Sequence, residues 1–313
     1  MKLSIVTTMF KSEATIAEFV RRVSAAAARI TDSFEVVIVD DGSPDNSLAI
    51  ATELAATDRR LKIVELSRNF GHHKALMTGL RHALGDRCFL IDSDLEEPPE
   101  TLAIFWDKLG EDGLDVVYGY QERRNGNLLH RVAARAAYAA FNLLIPAGIP
   151  TNHLTIRLMR RDYVDALLLH GESQVIIGGL WVITGFKQAG LPIDKKVKGE
   201  TTYALWRRWK MFLDSVTNFS EAPLVGIFYL GIVIAAMSSL IGIWLLLRWL
   251  MLGVGVAGWL SVMMSVWFLG GIAIFCIGVV GIYLGKVFAE TKNRPYTIVR
   301  KVHQTGDMQG GGE

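Results

Sequence analysis

The residues best placed to do chemistry are two aspartates one residue apart. Leu90–Glu100 reads Leu-Ile-Asp-Ser-Asp-Leu-Glu-Glu-Pro-Pro-Glu, and an apolar strand over Arg87–Ile91 runs directly into Asp92 and Asp94. Side chains two apart at a strand end project to the same side, and Glu96 can fold back toward them. Hard oxygen ligands gathered there suit Mg²⁺ or Mn²⁺ held jointly by protein and a diphosphate. The same residues also fit a solvated acidic loop before a helix opened by Pro98 and Pro99. Asp-x-Asp alone does not decide between the two.

The surrounding elements must position these carboxylates. Leu3–Thr8 reads as a strand, Glu13–Ile30 as an amphipathic helix, and Phe34–Val39 as a strand ending at Asp40-Asp41-Gly42-Ser43. A helix over Asn46–Ala56, a strand over Lys62–Leu66 and a helix over Gly71–Leu84 come next. After the strand before Asp92 come a helix from Pro98 to Leu109 and a strand at Asp115–Tyr120. Strands alternating with helices predict an α/β fold with a doubly wound, mostly parallel sheet. Such sheets bind ligands beyond the carboxyl ends of their strands, where Thr8, Asp41 and Asp92 all fall.

The chain has 313 residues, 51% of them hydrophobic, and the apolar surplus lies in its last third. Ala222–Leu247 and Trp249–Gly285 contain no charged residue; Arg248 alone separates them. Each run exceeds the ~20 apolar residues that cross a bilayer core. The sequence therefore predicts two transmembrane helices, about Leu224–Leu247 and Ser261–Gly285, joined by a turn containing Gly253, Gly255 and Gly258. Arg207, Arg208 and Lys210 precede the first; Lys286, Lys292, Arg294, Arg300 and Lys301 come after the second. The positive-inside rule then puts the large domain and both termini in the cytoplasm, as a multi-pass protein of the inner (cytoplasmic) membrane. The first apolar stretch, Leu3–Phe10, is too short for a signal peptide and ends at Lys11. Cys88 in a strand and Cys276 in a span are not expected to pair.

Several classes are excluded by what is missing. No Gly-x-Gly-x-x-Gly follows the first strand and no Gly-x-x-x-x-Gly-Lys-Ser/Thr occurs, which argues against a dinucleotide oxidoreductase or an ATPase. A net charge of +2 gives no reason to expect a nucleic-acid partner. Trp206, Arg207, Trp209, Lys210, Phe212 and Leu213 instead make a short basic, aromatic segment suited to an anionic membrane surface.

The blocks Ser4-Ile5-Val6, Val39-Asp40-Asp41-Gly42-Ser43, Leu66-Ser67-Arg68-Asn69-Phe70-Gly71 and Asp92-Ser93-Asp94-Leu95 with Pro98-Pro99-Glu100 carry a resemblance that runs nearly end to end. Arg157-Leu158-Met159, Phe219-Ser220 with Pro223-Leu224, and Tyr283-Leu284-Gly285 with Asn293-Arg294-Pro295 extend it. The chain resembles family 2 glycosyltransferases of the polyprenyl-phosphate group, which includes dolichol-phosphate mannose synthase. The resemblance implies a GT-A catalytic domain over 1–200, an interfacial amphipathic helix over 201–221, a transmembrane hairpin over 222–287 and a cytoplasmic tail over 288–313. It also implies a nucleoside diphosphate sugar donor, a polyprenyl phosphate acceptor, a divalent metal, contact with membrane lipid, and a homo-oligomer, often a tetramer.

By this resemblance Asp94 ligates metal, with Asp92 near the ribose and phosphates and Glu96 as a further ligand where relatives often carry Gln. Asp41 is the base-binding aspartate; Thr8, Phe10, Glu13 and Arg68 belong to the nucleotide-sugar pocket. Thr8 stands where relatives have Pro, and Lys11 where they have Asn. The acceptor phosphate needs cations, and Arg124, Arg131 and Arg135 are the candidates, joined by Lys196 and Lys198. Asp92, Asp94, Arg124 and Arg131 form the expected catalytic set. Arg131 and Arg135, four apart, also fit a solvated helix face.

One departure bears on mechanism. Relatives often carry Gly-Asp-Phe before Arg-Leu-Met, and that Asp is often proposed as a base; here the segment is Asn152-His153-Leu154-Thr155-Ile156, with Thr155 at the Asp position. His153 could replace that base, but a lone histidine near a strand reads first as a structural residue. The departure also suggests a subgroup with a different donor sugar, a uronic acid or a hexose, whose carboxylate, where present, His72, His73 or Lys74 could contact. The sequence thus points to an inverting, metal-dependent transferase that makes a lipid-linked sugar for envelope glycan or lipopolysaccharide modification. The alternatives are a transferase acting on a lipid hydroxyl and a non-catalytic membrane scaffold. A processive polysaccharide synthase would need Gln-x-x-Arg-Trp and usually more spans; neither is found.

Overall fold

Alternation within the strands decides the architecture. In Leu3–Met9 (β1), Leu3, Ile5 and Met9 enter one apolar cluster while Val6 enters another. Phe34–Asp40 (β2) splits the same way, with Val36 and Ile38 on one face and Val37 and Val39 on the other. A strand buried on both faces needs helices on both, which is the doubly wound arrangement. The first face is covered by Ile16–Ala28 (α1), Ser47–Thr57 (α2) and Leu102–Leu109 (α4). The second is covered by His72–His82 (α3), Arg161–Leu168 (α5) and Ile177–Ile183 (α6).

The computed structural model describes residues 2–111, 113–121, 153–172, 177–194, 222–252, 258–292 and 294–305. Leu61–Leu66 (β3), Arg87–Leu90 (β4), Val116–Tyr120 (β5), His153–Arg160 (β6), Gln188–Pro192 (β7) and Val299–Gln304 (β8) complete the sheet, in the order β7-β5-β6-β4-β1-β2-β3-β8. The run β4-β1-β2-β3 is parallel throughout. β6 lies antiparallel between β4 and β5, and β8 closes the other edge antiparallel to β3. The helix expected from Pro98 begins instead as a short 3-10 turn, Pro99–Thr101, because a proline disfavours helical geometry in the residue before it, and Pro98 is extended at ψ 122°.

β8 lies within 288–313, the stretch expected to be a tail. Val-Arg-Lys-Val-His-Gln has only two apolar residues, three apart, and no strand pattern of its own, yet the open edge of β3 supplies its hydrogen bonds. The sheet unit thus resumes at Arg294.

The second unit is built on two long helices, Ala222–Leu252 (α7) and Trp259–Thr291 (α8). Their segments Leu224–Trp244 and Ser265–Thr291 are long and apolar enough to cross a membrane. Large apolar side chains along both are exposed, Leu240, Trp267 and Ile274 among them. Such surfaces are stable against lipid and costly against water. Neither Cys88 nor Cys276 is in a disulfide. The basic aromatic segment at 206–213, and with it the expected interfacial helix over 201–221, lies outside the described residues.

Candidate active site

Loops at the carboxyl ends of the parallel strands are stitched to one another. After β1, the Ser12 N–H donates to Ser47 Oγ at 2.8 Å, and the Glu13 carboxylate accepts from Asn46 N at 3.3 Å and Asn46 Nδ2 at 3.1 Å. After β4, Ser93 Oγ donates to the Thr8 carbonyl at 2.8 Å and lies 3.4 Å from Ser12 Oγ. The ends of β1, β2 and β4 are therefore tied to one another. Thr8 is buried among them, while Phe10 is 45% exposed and is followed by Lys11 at φ +57°.

Asp41 has a structural task that its motif does not reveal. It is buried, and its carboxylate accepts the backbone N–H of Phe70 at 2.7 Å and of Gly71 at 3.0 Å. Burial pushes its carboxyl above the ordinary range, and the two N–H donors pull the other way. Only its remaining lone pairs face other partners. Arg68 stacks its guanidinium 4.0 Å from the Phe70 ring centre and donates to the Asn69 carbonyl. Asp41 thus grips the loop that carries Arg68, residues 67–71, which ends at Gly71 with φ +98° and opens α3.

Gly42 shows how tightly this loop is seated. Its φ is +69°, and a Cβ there would lie 2.7 Å from the Asn69 nitrogen. Both strain and clash oppose a side chain, because the nearest neighbours are backbone atoms of Arg68 and Asn69 that cannot swing away. Gly42→Ala is expected to cost about 2 kcal/mol or more of stability in the sheet unit, read as a lowered thermal midpoint. An unchanged midpoint would show that the loop can give way to a methyl group.

His72, at the first turn of α3, joins two strand ends. Its Nδ1 is 3.0 Å from Thr8 Oγ1 and its Nε2 is 3.4 Å from Asp92 Oδ1. With the hydroxyl donating to Nδ1, the Nε2–H is directed at the carboxylate. Asp92 Oδ1 has no hydrogen bond among the described residues, so His72 is its nearest compensation. The Gly71-His72-His73-Lys74 turn suggests a contact from His72 to a sugar carboxylate; in the structure its described partners are Thr8 and Asp92.

Asp94 is exposed, and its Oδ1 accepts the Glu96 N–H at 2.9 Å, across Leu95 at φ +62°. Among the described residues no three His, Cys, Asp or Glu converge as a ready metal cage, so Asp92, Asp94 and Glu96 are not a preformed trio. The reason is this tight turn, which engages the Glu96 backbone with Asp94. The donor set nevertheless fits a divalent cation of the Mg²⁺ or Mn²⁺ type. The buried Asp92 Oδ1, without a hydrogen bond among the described residues, belongs to a residue two positions along the chain from the exposed Asp94 carboxylate. Ions of this type take one or two carboxylates and complete their shell with substrate phosphates and water.

The sequence singles out Glu96, but the side chain that turns inward is Glu97, which is buried. Arg157 of β6 is likewise fully buried, its guanidinium 3.0 Å from the centre of the Trp181 ring. Burial lowers the Arg157 pKa to about 9, while Tyr163 acts the other way. The sequence signal for this residue is an arginine within an apolar strand, Leu-Thr-Ile-Arg-Leu-Met. His153 packs edge-on against Trp181, with ring centres 5.7 Å apart. Its Nε2 would be 2.8 Å from a Cβ on Gly178. Those contacts fit a packing role. Arg124, Arg131, Arg135, Lys196 and Lys198 lie outside the described residues.

Open α/β sheets of this kind take ligands beyond the carboxyl ends of their parallel strands, which is where Asp41, Asp92 and Asp94 lie. The sequence profile described as "Glycosyl transferase family 2" matches residues 4–168. A Mycobacterium tuberculosis protein, named no further than glycosyltransferase, is 50% identical over 97% of this chain and 89% of its own length. The prophage bactoprenol glucosyl transferase homolog of Escherichia coli is 33% identical over 96% of this chain and 99% of its own. The bactoprenol glucosyl transferase of Shigella phage SfII is 33% identical over 97% and 99%. The chain belongs to glycosyl transferase family 2, and its resemblance to the polyprenyl-phosphate group extends through the apolar helices.

Proposed function

We propose that this protein moves a sugar from a nucleoside diphosphate donor, UDP-linked, onto a polyprenyl phosphate at the cytoplasmic membrane face, with inversion. The observation that carries it is the end-to-end match, apolar helices included, to bactoprenol glucosyl transferases, in a chain whose Asp92 and Asp94 leave β4 beside the Asp41 loop. An oxygen of the lipid phosphate attacks the anomeric carbon as the bond to the diphosphate breaks, and the nucleoside diphosphate departs. Attack opposite the leaving group inverts the anomeric centre. Asp94 with Asp92 would hold a divalent ion, which would supply neutralising charge for the departing diphosphate. Asp41 and the 67–71 loop seat the base, and Arg124, Arg131 and Arg135, with Lys196 and Lys198, offset the charge of the acceptor.

No base is required for such an acceptor. A phosphate monoester has lost its second proton above a pH of ~6, whereas a hydroxyl acceptor would need proton removal at the transition state. Thr155 at the relatives' Asp position is consistent with this, as is the packing of His153 against Trp181. Thr155→Val and His153→Ala should each keep about a tenth or more of wild-type turnover, and the rate should rise through pH ~6 and then level. Collapse of turnover in His153→Ala with both substrates still bound would instead make histidine the base.

β8 supports the membrane topology of this reading. α7 and α8 lie in sequence between β7 and β8, two strands of one sheet, so an even number of crossings is required. The flanking basic residues put the sheet inside. In a background without Cys88 and Cys276, an impermeant thiol reagent on intact cells should label Gly255→Cys and spare Arg59→Cys and Gln304→Cys. Labelling of Gln304→Cys with Gly255→Cys protected would reverse the orientation.

A further inference from the structure

We infer that Tyr296 and Thr297, just after the second apolar helix, are positioning residues for the donor pocket. This rests on the proposed seating of the nucleotide by Asp41 and the 67–71 loop. The segment holds the start of that loop and the helix that follows it. At its start, the Ser67 N–H donates to the Ile298 carbonyl at 2.9 Å. Beyond its end, Thr297 Oγ1 meets Thr78 Oγ1 of α3 at 2.8 Å. Tyr296 lies against the same helix, its ring 5.6 Å from Lys74 Nζ and 5.2 Å from the Arg81 guanidinium carbon. Tyr296, Val299 and Phe70 pack on one apolar cluster beneath α3.

β8 fastens the segment further. It pairs with β3 from Leu66↔Val299 to Lys62↔Gln304. A register shift at Glu65/Leu66 accompanies Arg300, which reaches Glu65 at 3.3 Å while His303 reaches it at 2.9 Å. The loop therefore hangs between β3 and α3, and both are held by residues 296–304. Phe70 and Gly71, which present their N–H groups to Asp41, sit between those two attachments. Removing the segment's grip lets these two amides wander, and a ligand must then bear the entropy of re-ordering them. The Tyr296 hydroxyl hydrogen-bonds nothing among the described residues, so the ring and not the hydroxyl does the holding.

Full-length Tyr296→Ala, Thr297→Val and Tyr296→Phe proteins in detergent test this by two readouts. Hydrogen exchange is followed in peptides covering residues 67–74, with β1 and β2 peptides as internal controls; UDP with Mn²⁺ is titrated as the probe. Tyr296→Ala and Thr297→Val should speed exchange in the loop about tenfold with the controls unmoved, and weaken UDP about tenfold. The KM for polyprenyl phosphate should stay within about twofold, and Tyr296→Phe should behave as wild type on every measure. Unchanged loop exchange in both disruptive variants overturns the inference, as does faster exchange throughout the sheet, which would mark a general structural role. Should UDP fail to bind even the wild type, the donor reading falls, and the exchange readout still decides whether the segment orders the loop.

Discussion

Asp94→Ala should abolish sugar transfer, lowering turnover by about 10³-fold or more while the protein still folds and still fractionates with membranes. The magnitude comes from losing several kcal/mol of charge stabilisation at the leaving diphosphate. Folding should survive because Asp94 is exposed and accepts the Glu96 N–H within its own turn, away from the core. Excess chelator on the wild type should produce a loss of the same order, reversed by added Mn²⁺ or Mg²⁺. Near-wild-type turnover of Asp94→Ala, or indifference to chelator, would remove the metal from the mechanism.

Asp41→Ala carries the second-largest expected effect, and its form differs. Two backbone N–H groups would lose a charged acceptor in a buried place, at about 1.5–3 kcal/mol each. The donor should bind about 10²-fold more weakly, and the thermal midpoint should fall as well, since the same carboxylate seats the 67–71 loop. Asp41→Asn separates the two roles. Its amide oxygen can accept one of the two N–H groups, so stability should recover more than donor affinity does. Equal recovery of both would mean that Asp41 acts on the donor solely through the loop.

The central fold is legible in the sequence because its signals are local. The near-continuous apolar runs of Leu3–Met9 and Phe34–Asp40, buried on both faces, and the strands ending near Asp41 and Asp92 are visible in the residues themselves. The two long apolar helices are legible for the same reason: their hydrophobicity is continuous. The features that escape depend on distant partners. β8 has no apolar run of its own and becomes a strand only because β3 offers an edge. The choice between Glu96 and Glu97 turns on the left-handed backbone at Leu95, which no side-chain pattern announces. His72 stands out in its motif, but its link to Thr8 and Asp92 arises from three loops meeting, with sequence separations that periodicity cannot span. The motif around Asp41 points to a ligand, and the grip of Asp41 on Phe70 and Gly71 emerges only once β2 and β3 lie side by side.

The most direct test of polyprenyl phosphate as the acceptor is to incubate membranes containing the protein with a panel of radiolabelled nucleotide sugars and to compare polyprenyl phosphate, the unphosphorylated polyprenol and diacylglycerol. Organic-soluble label is expected from one UDP-sugar with polyprenyl phosphate alone, and none in Asp94→Ala membranes. Label on polyprenol or diacylglycerol, with none on polyprenyl phosphate, would contradict the proposed reaction.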